Sequence, residues 1–260
     1  MERAIRFREK LRQGEVCLGV IVSSNDCAIT EALCRDLDFV WIDAEHSAMS
    51  LDIVQSHVMA TKGSNAAPIV RVPWNDPVLI KPVLDMGAEG IVVPLVRTVE
   101  DARLAVAACK YPPEGIRGYG PRRPSDYGRL GGPEFCQRMN DSVLVILQIE
   151  HIDAVNDIEG ILAVQGVTSL VIGSNDLSGS MGLLGQPRHP EVLAAIDRVI
   201  AAARRTKVFV GIGIGNDGKI ITEWIGKGMQ WVAMGSDFSL MLTGLDQVSR
   251  EVGTYLEKKR

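Results

Sequence analysis

Short, nearly continuous Val/Ile/Leu runs recur along the chain at intervals of about two dozen residues, separated by longer segments with apolar positions at helical spacing. The runs lie at Val16–Val22, Phe39–Asp43, Ile69–Val72, Gly90–Val96, Val143–Ile149, Ser169–Ile172, Val208–Gly213 and Trp231–Met234. A run without polar alternation reads as a strand buried on both faces. Between the runs, Asp52–Lys62, Pro77–Met86, Val99–Cys109, Ala154–Val164, Pro190–Arg204 and Gly218–Lys227 carry the helical period. Alternating strands and helices imply parallel pairing, and eight such units predict a closed (β/α)8, or TIM, barrel. A short amphipathic helix at Met1–Lys10 would precede it and a helix from about Phe238 to Lys258 would close it. Residues 1–260 read as one α/β domain, with no linker and no second domain. Two longer stretches, Lys110–Asp141 and Leu177–His189, are expected on the C-terminal face of the barrel, where barrel enzymes keep their active sites.

Composition narrows the function classes. Hydrophobic residues make up 46% of the 260, enough for a large core, and the net charge of −4 comes with both signs interspersed. No basic stripe suggests nucleic acid. No apolar run approaches the roughly 18 residues of a membrane span, and the charged N-terminus has no signal-peptide core. The five cysteines (17, 27, 34, 109 and 136) are odd in number and form no C-x-x-C pair, which suits structural thiols in a reducing cytoplasm.

Chemistry concentrates where the apolar runs end. The fifth run leads into Gln148-Ile-Glu150 and the sixth into Gly173-Ser-Asn-Asp176. A carboxylate at the end of a buried strand is costly to desolvate without a partner. Two of them at matching ends of consecutive strands, Glu150 and Asp176, could share a hard cation such as Mg²⁺ or Mn²⁺ with positions left open for substrate. The competing reading is two acids favoured by helix N-termini. His46 follows the second run beside Asp43 and Glu45, which suits a general base more than a buried structural histidine. His57 lies in a helical segment and reads as structural, and His151 as a neighbour of the metal ligand or a surface residue. Arg71 ends the third run, either as a fork for a carboxylate or oxyanion or as a salt bridge to the strand-2 loop.

Other patterns set limits. Gly213-Ile-Gly-Asn-Asp-Gly218 matches the dinucleotide fingerprint, but on the seventh of eight units it reads as a tight βα turn or, less readily, a phosphate site. The arginines of Gly115–Pro124 could bind an anion, pin a loop or make a subunit contact. No lysine ends a strand at the mouth, so a Schiff base has no nucleophile. Metal-assisted chemistry with a histidine base and an arginine stabiliser is what remains.

With those residues in place, the chain resembles the HpcH/HpaI aldolases, class II members of the phosphoenolpyruvate/pyruvate barrel superfamily. The matching segments are Ile42–His46, Arg71–Trp74, Leu84–Ala88, Gly90–Pro94, Tyr111–Gly118, Gln148–Glu150 and Gly173–Ser178, in the family's order. The resemblance implies a divalent-metal aldolase that cleaves a 4-hydroxy-2-oxo acid to pyruvate and an aldehyde. It implies that Glu150 and Asp176 hold Mg²⁺, Mn²⁺ or Co²⁺ and that Gln148 contacts the pyruvyl group. Backbone N–H groups of Asn175 and Asp176 would bind the substrate carboxylate. His46 would be the base, Arg71 would stabilise the enolate, and Asp85 would raise the basicity of His46, across a subunit boundary in a homo-oligomer, hexameric in the family. Ser47 departs from the family's usual glycine and Asn175 occupies a variable position, so the aldehyde half is the least specified. A citramalyl- or malyl-CoA-type lyase is the nearest rival and would need a basic groove, for which Arg117, Arg122 and Arg123 are the candidates. A non-catalytic keto-acid-binding barrel is the remaining alternative.

Overall fold

The computed structural model describes residues 1–259. Eight strands, β1 (Cys17–Val22), β2 (Phe39–Asp43), β3 (Ala67–Arg71), β4 (Gly90–Val93), β5 (Leu144–Ile149), β6 (Ser169–Ile172), β7 (Phe209–Ile214) and β8 (Trp231–Ser236), form a closed parallel barrel in chain order. β8 pairs back onto β1. β2 and β6 have the bounds that their apolar runs predict. β4 stops sooner than predicted, because Leu95 adopts a positive φ of 55° and turns the chain out of the ladder.

Side chains alternate across each strand, so one parity fills the barrel and the other meets the helices. Trp41, Ile69, Val92, Ile146 and Val171 belong to the buried cluster inside the barrel. Two residues further toward the C-terminal end, the same parity reaches Asp43, Arg71, Gln148 and Gly173. The alternation that packs the core therefore also aims these groups into the mouth.

Helix α1 (Glu2–Arg12) closes the other end. Its Phe7 packs edge-on against Phe39 at 5.7 Å and Trp231 at 6.2 Å. Gly211 makes room for that plug, since a Cβ there would sit 2.1 Å from the Trp231 ring. Beneath the barrel, Glu89 accepts hydrogen bonds from Arg3 Nε (2.7 Å) and Ala4 N (2.9 Å) and clamps α1 in place.

The remaining helices are α2 (Cys27–Leu33), α3 (Leu51–Ala60), α4 (Pro77–Asp85), α5 (Val99–Cys109), α6 (Gly132–Ser142), α7 (Ile152–Asn156), α8 (Ile158–Leu162), α9 (Ser174–Ser180), α10 (Pro190–Ala203), α11 (Gly218–Lys227) and α12 (Asp237–Glu257). The segment predicted as one helix over Ala154–Val164 is split into α7 and α8 at Asp157, whose backbone leaves the helical region. The stretch Lys110–Asp141 corrects an expectation. It follows α5 rather than a strand, so it belongs to the connection into β5 and lies on the N-terminal face, with α6 inside it. Leu177–His189, which follows β6, does lie on the mouth side.

α12 differs from the others. Only Asp237, at its start, is buried, while Met241, Leu245, Val248, Val252 and Tyr255 are exposed. Their spacing of four and three residues makes a single apolar seam along the helix. Among the described residues, no helix is long and apolar enough to cross a membrane.

Candidate active site

The mouth is graded from a buried floor to an open rim. Gln148 and Glu150 are buried at the end of β5, and His46, in the loop after β2, has a side chain 68% exposed. Arg71 lies between them. β2 and β3 pair with Asp43 opposite Arg71, which sets the two side chains next to each other. Asp43 takes the guanidinium as a fork, at 2.9 Å from Nε and 2.6 Å from Nη2. Nη1 faces the mouth, where it pairs with Glu45 Oε2 at 3.0 Å and donates to Gln148 Oε1 at 3.5 Å. Burial works against the charge of Arg71, but Asp43, Glu45 and Glu150 outweigh it and hold its pKa above the ordinary value. The two readings of Arg71 thus coexist: one edge is bound to the strand-2 loop and the other faces the site.

Glu150 accepts from Leu95 N at 2.6 Å and from the amide of Gln148. Gly173, at the exit of β6, leaves it space, since a Cβ there would fall 2.7 Å from Glu150 Cβ. Burial, reinforced by the charge of Asp176, raises the Glu150 pKa despite those two donors. Glu45 is under greater strain. Its buried Oε2 meets Arg71 Nη1 as an ion pair without hydrogen-bond alignment, and burial first, then Glu150 and Asp43, push its pKa up to about 7 against the pull of Arg71. The charge balance of the floor is therefore negative. Arg71, shared between Asp43 and Glu45, and the exposed imidazole of His46, 3.7 Å from Glu45, are the cationic groups set against Asp43, Glu45, Glu150 and Asp176.

An all-oxygen set with surplus negative charge fits a hard divalent cation. Among the described residues no cluster of three or more His, Cys, Asp or Glu has ligand geometry, so Glu150 and Asp176 would supply two positions and leave the others open. Asp176 and Asn175 lie in the first turn of α9, exposed, where backbone N–H groups have no helical acceptor. The helix-terminus reading of Asp176 holds as geometry and does not compete with its place beside Glu150.

Of the residues predicted for the site, His46, Arg71, Gln148, Glu150, Asn175 and Asp176 come together at the mouth. Asp85 does not. It ends α4, and barrel helices run against their strands, so it sits at the opposite end of the same chain. There its carboxylate accepts from Arg117 Nη2 at 2.6 Å. Glu45 was read from the sequence only as a neighbour of His46, and Asp43 likewise. The structure makes Asp43 the anchor of Arg71 and Glu45 part of the floor. Their signal was the i, i+2 spacing of two acids at a strand exit, which aims both inward.

The other histidines are structural. His57 bonds Thr30 Oγ1 at 2.7 Å and Ser24 O at 3.0 Å, while His151 and His189 cap α7 and α10. The glycine fingerprint is the turn into α11, capped by Asp217. Ser47 turns its hydroxyl back onto the Asp43 carbonyl.

A closed barrel with charged side chains gathered at the C-terminal ends of its strands has the architecture of a barrel enzyme. Comparison with known proteins narrows this class. Residues 20–243 match the family model described as HpcH/HpaI aldolase/citrate lyase, and the chain belongs to that family. It is 36% identical over 256 residues to the 4-hydroxy-2-oxo-heptane-1,7-dioate aldolase of Salmonella typhimurium, covering 97% of this chain and 95% of that protein. The crystal structure of an HpcH/HpaI aldolase/citrate lyase family protein from Burkholderia cenocepacia superposes with a TM-score of 0.89 at 33% identity, over 95% of this chain and 98% of the other. That of an HpcH/HpaI aldolase from Desulfitobacterium hafniense gives 0.84 at 31%, over 94% and 95%. The chain is accordingly an enzyme of the class II aldolase type.

Proposed function

We propose that this chain cleaves a 4-hydroxy-2-oxo acid to pyruvate and an aldehyde, reversibly and with a divalent metal, as a single barrel domain in the cytoplasm. The observation that carries the reading is the surplus of carboxylate at the floor of the mouth beside one half-engaged arginine. Glu150 and Asp176 would hold Mg²⁺, Mn²⁺ or Co²⁺, which when bound supplies Lewis-acid polarisation of the 2-oxo group. His46, directly or through water, takes the proton of the C4 hydroxyl. The C3–C4 bond then breaks, its electron pair passes into the C2 carbonyl, and the aldehyde leaves. Arg71 Nη1 stabilises the enolate oxygen, which Gln148 helps to position, and a proton returned to C3 gives pyruvate. The first turn of α9, at Asn175 and Asp176, takes the substrate carboxylate.

Asp85 can orient His46 only from a second copy of the chain, because within one chain the two lie at opposite ends. The exposed rim position of His46 leaves room for that approach. The apolar seam of α12 supports a homo-oligomer, for which six copies is the family's number. Substituting Leu245→Glu with Val252→Glu is expected to reduce the mass in sedimentation, and an unchanged mass would remove the seam as the contact.

The CoA-lyase rival is less favoured: Arg117 is buried against Asp85 and Tyr111, and within one chain the arginine-rich loop lies on the N-terminal face, so its basic residues could reach a mouth only beside the Asp85 of a second copy. The test is a coupled pyruvate-release screen over 4-hydroxy-2-oxo acids of varied length and terminal charge, with each of the three metals. The heptane-1,7-dioate named for the Salmonella relative heads that panel. Pyruvate release that needs metal and falls about 10²–10⁴-fold in His46→Ala is expected. Release from no hydroxy-oxo acid, or full rates in His46→Ala, would overturn the reading.

A further inference from the structure

On the N-terminal face, α1 and the turns into β5, β6, β7 and β8 surround a cleft of about 1070 Å³. That volume is slightly above the range of small-molecule sites, about 300–1,000 Å³. Five cations line it: Arg8 and Arg12 from α1, Lys110 after α5, and Arg204 and Lys207 after α10. Only two acids do, Glu114 and Asp141. Lys110 and Glu114 neutralise each other at 2.8 Å. The rest is a cationic excess on a chain whose net charge is −4.

Three of these cations have no acid partner. Among the described residues, no carboxylate lies within ion-pair distance of Arg8, Arg204 or Lys207, and Arg12 has only Glu9 at 3.8 Å. Arg8 is half-buried, and its Nε is buried without a hydrogen-bond partner. Burial and the neighbouring Arg12 both work against its charge, with Asp141 only partly opposing them. A guanidinium N–H hidden from water and unbonded is costly, and a like charge beside it adds to the cost. An oxyanion in the cleft would offset the like charges of Arg8 and Arg12 and stabilise the desolvated guanidinium.

The walls are prearranged. The guanidinium of Arg204 lies over Gly228, where a Cβ would come 2.2 Å from Nη2, and donates to the Lys227 carbonyl at 2.8 Å. Gln230 accepts the Val210 N–H through Oε1, which leaves its NH₂ as the uncommitted end. Val208 and Phe209, both half-buried, give the cleft an apolar side.

We propose that this cleft binds a small phosphate ester, with its phosphoryl oxygens on Arg8, Arg12, Arg204 and Lys207 and its organic body on Val208 and Phe209. Arginine forks suit phosphoryl oxygens through paired, charge-assisted hydrogen bonds.

Calorimetric titration of the full-length, metal-free protein with inorganic phosphate, pyrophosphate, glucose 6-phosphate and adenosine diphosphate tests this. One site per chain is expected, with at least one ester bound about tenfold more tightly than inorganic phosphate. Lys207→Glu and Arg12→Glu, both at exposed positions, should each weaken that ester about tenfold or more and leave pyruvate release unchanged. Arg8→Met should do the same, and if it fails to fold the two exposed variants decide. Absence of binding by every phosphate, equal affinity for phosphate and esters, or binding that persists in the cleft variants would overturn the proposal.

Discussion

Glu89 below the barrel and Glu150 above it are buried to the same extent, each 3% exposed, yet they are treated in opposite ways. Glu89 meets the N-terminal ammonium at 3.2 Å, Arg3 at 2.7 Å and the Ala4 N–H at 2.9 Å. Burial would raise its pKa, but the ammonium and Arg3 outweigh burial and hold the carboxyl below its ordinary value. Glu150 has two hydrogen-bond donors and no cation in contact, and burial with Asp176 raises its pKa. The same desolvation cost is offset internally below the barrel and left open at the mouth. A charge that the fold completes serves stability, and one that it leaves incomplete marks where something from outside belongs.

Breaking the comparison at the mouth should have the largest effect. Glu150→Gln is expected to lower kcat/KM for pyruvate release by about a thousandfold, several kcal/mol of transition-state stabilisation, with thermal stability kept or raised. Arg71→Lys keeps the charge but loses the fork that Asp43 orients, and a fall of about a hundredfold in kcat is expected in steady-state assays. The N-terminal end of the barrel should respond in stability instead. Glu89→Gln leaves Arg3 facing a neutral amide and should cost about 3–5 kcal/mol in denaturant unfolding, with activity per folded molecule retained.

The smallest effect sharpens the contrast through pH. Glu45 in the metal-free fold has its pKa raised from 4.5 to about 7. A raised carboxyl favours the protonated fold, so its contribution to stability is full below its unfolded value and is lost as pH rises through about 7. Glu45→Gln should therefore gain stability over the unmodified chain on going from mildly acid to mildly alkaline pH, by about 1–2 kcal/mol after solvent screening. Glu89, with its lowered pKa, has the opposite sign: its contribution is present above its unfolded value and lost on acidification. Melting curves of both variants across pH would show the two differences moving in opposite directions.

Much of this was legible in the sequence, because the fold repeats one unit eight times. The continuous apolar runs located every strand, and the residues ending those runs located Arg71, Gln148, Glu150 and Asp176. Four things were missed. The short helices α2 and α9 and the glycine-rich start of α6 lack a sustained helical period. The face taken by Lys110–Asp141 was misassigned although the helical segment Val99–Cys109 stands directly before it, which puts the stretch at the N-terminal end of the barrel. Asp43 and Glu45 stood beside His46 in the sequence, but parity along β2 and pairing with β3 turned Asp43 onto Arg71 instead. Glu89 was silent because its partners, at residues 1, 3 and 4, are distant in the chain.

Binding of Mn²⁺, followed by electron paramagnetic resonance, tests the contrast most directly. One ion per chain is predicted for the unmodified protein and for Glu89→Gln, with binding lost in Glu150→Gln and Asp176→Asn. Equal binding in Glu150→Gln, or loss in Glu89→Gln while the protein stays folded, would contradict the account.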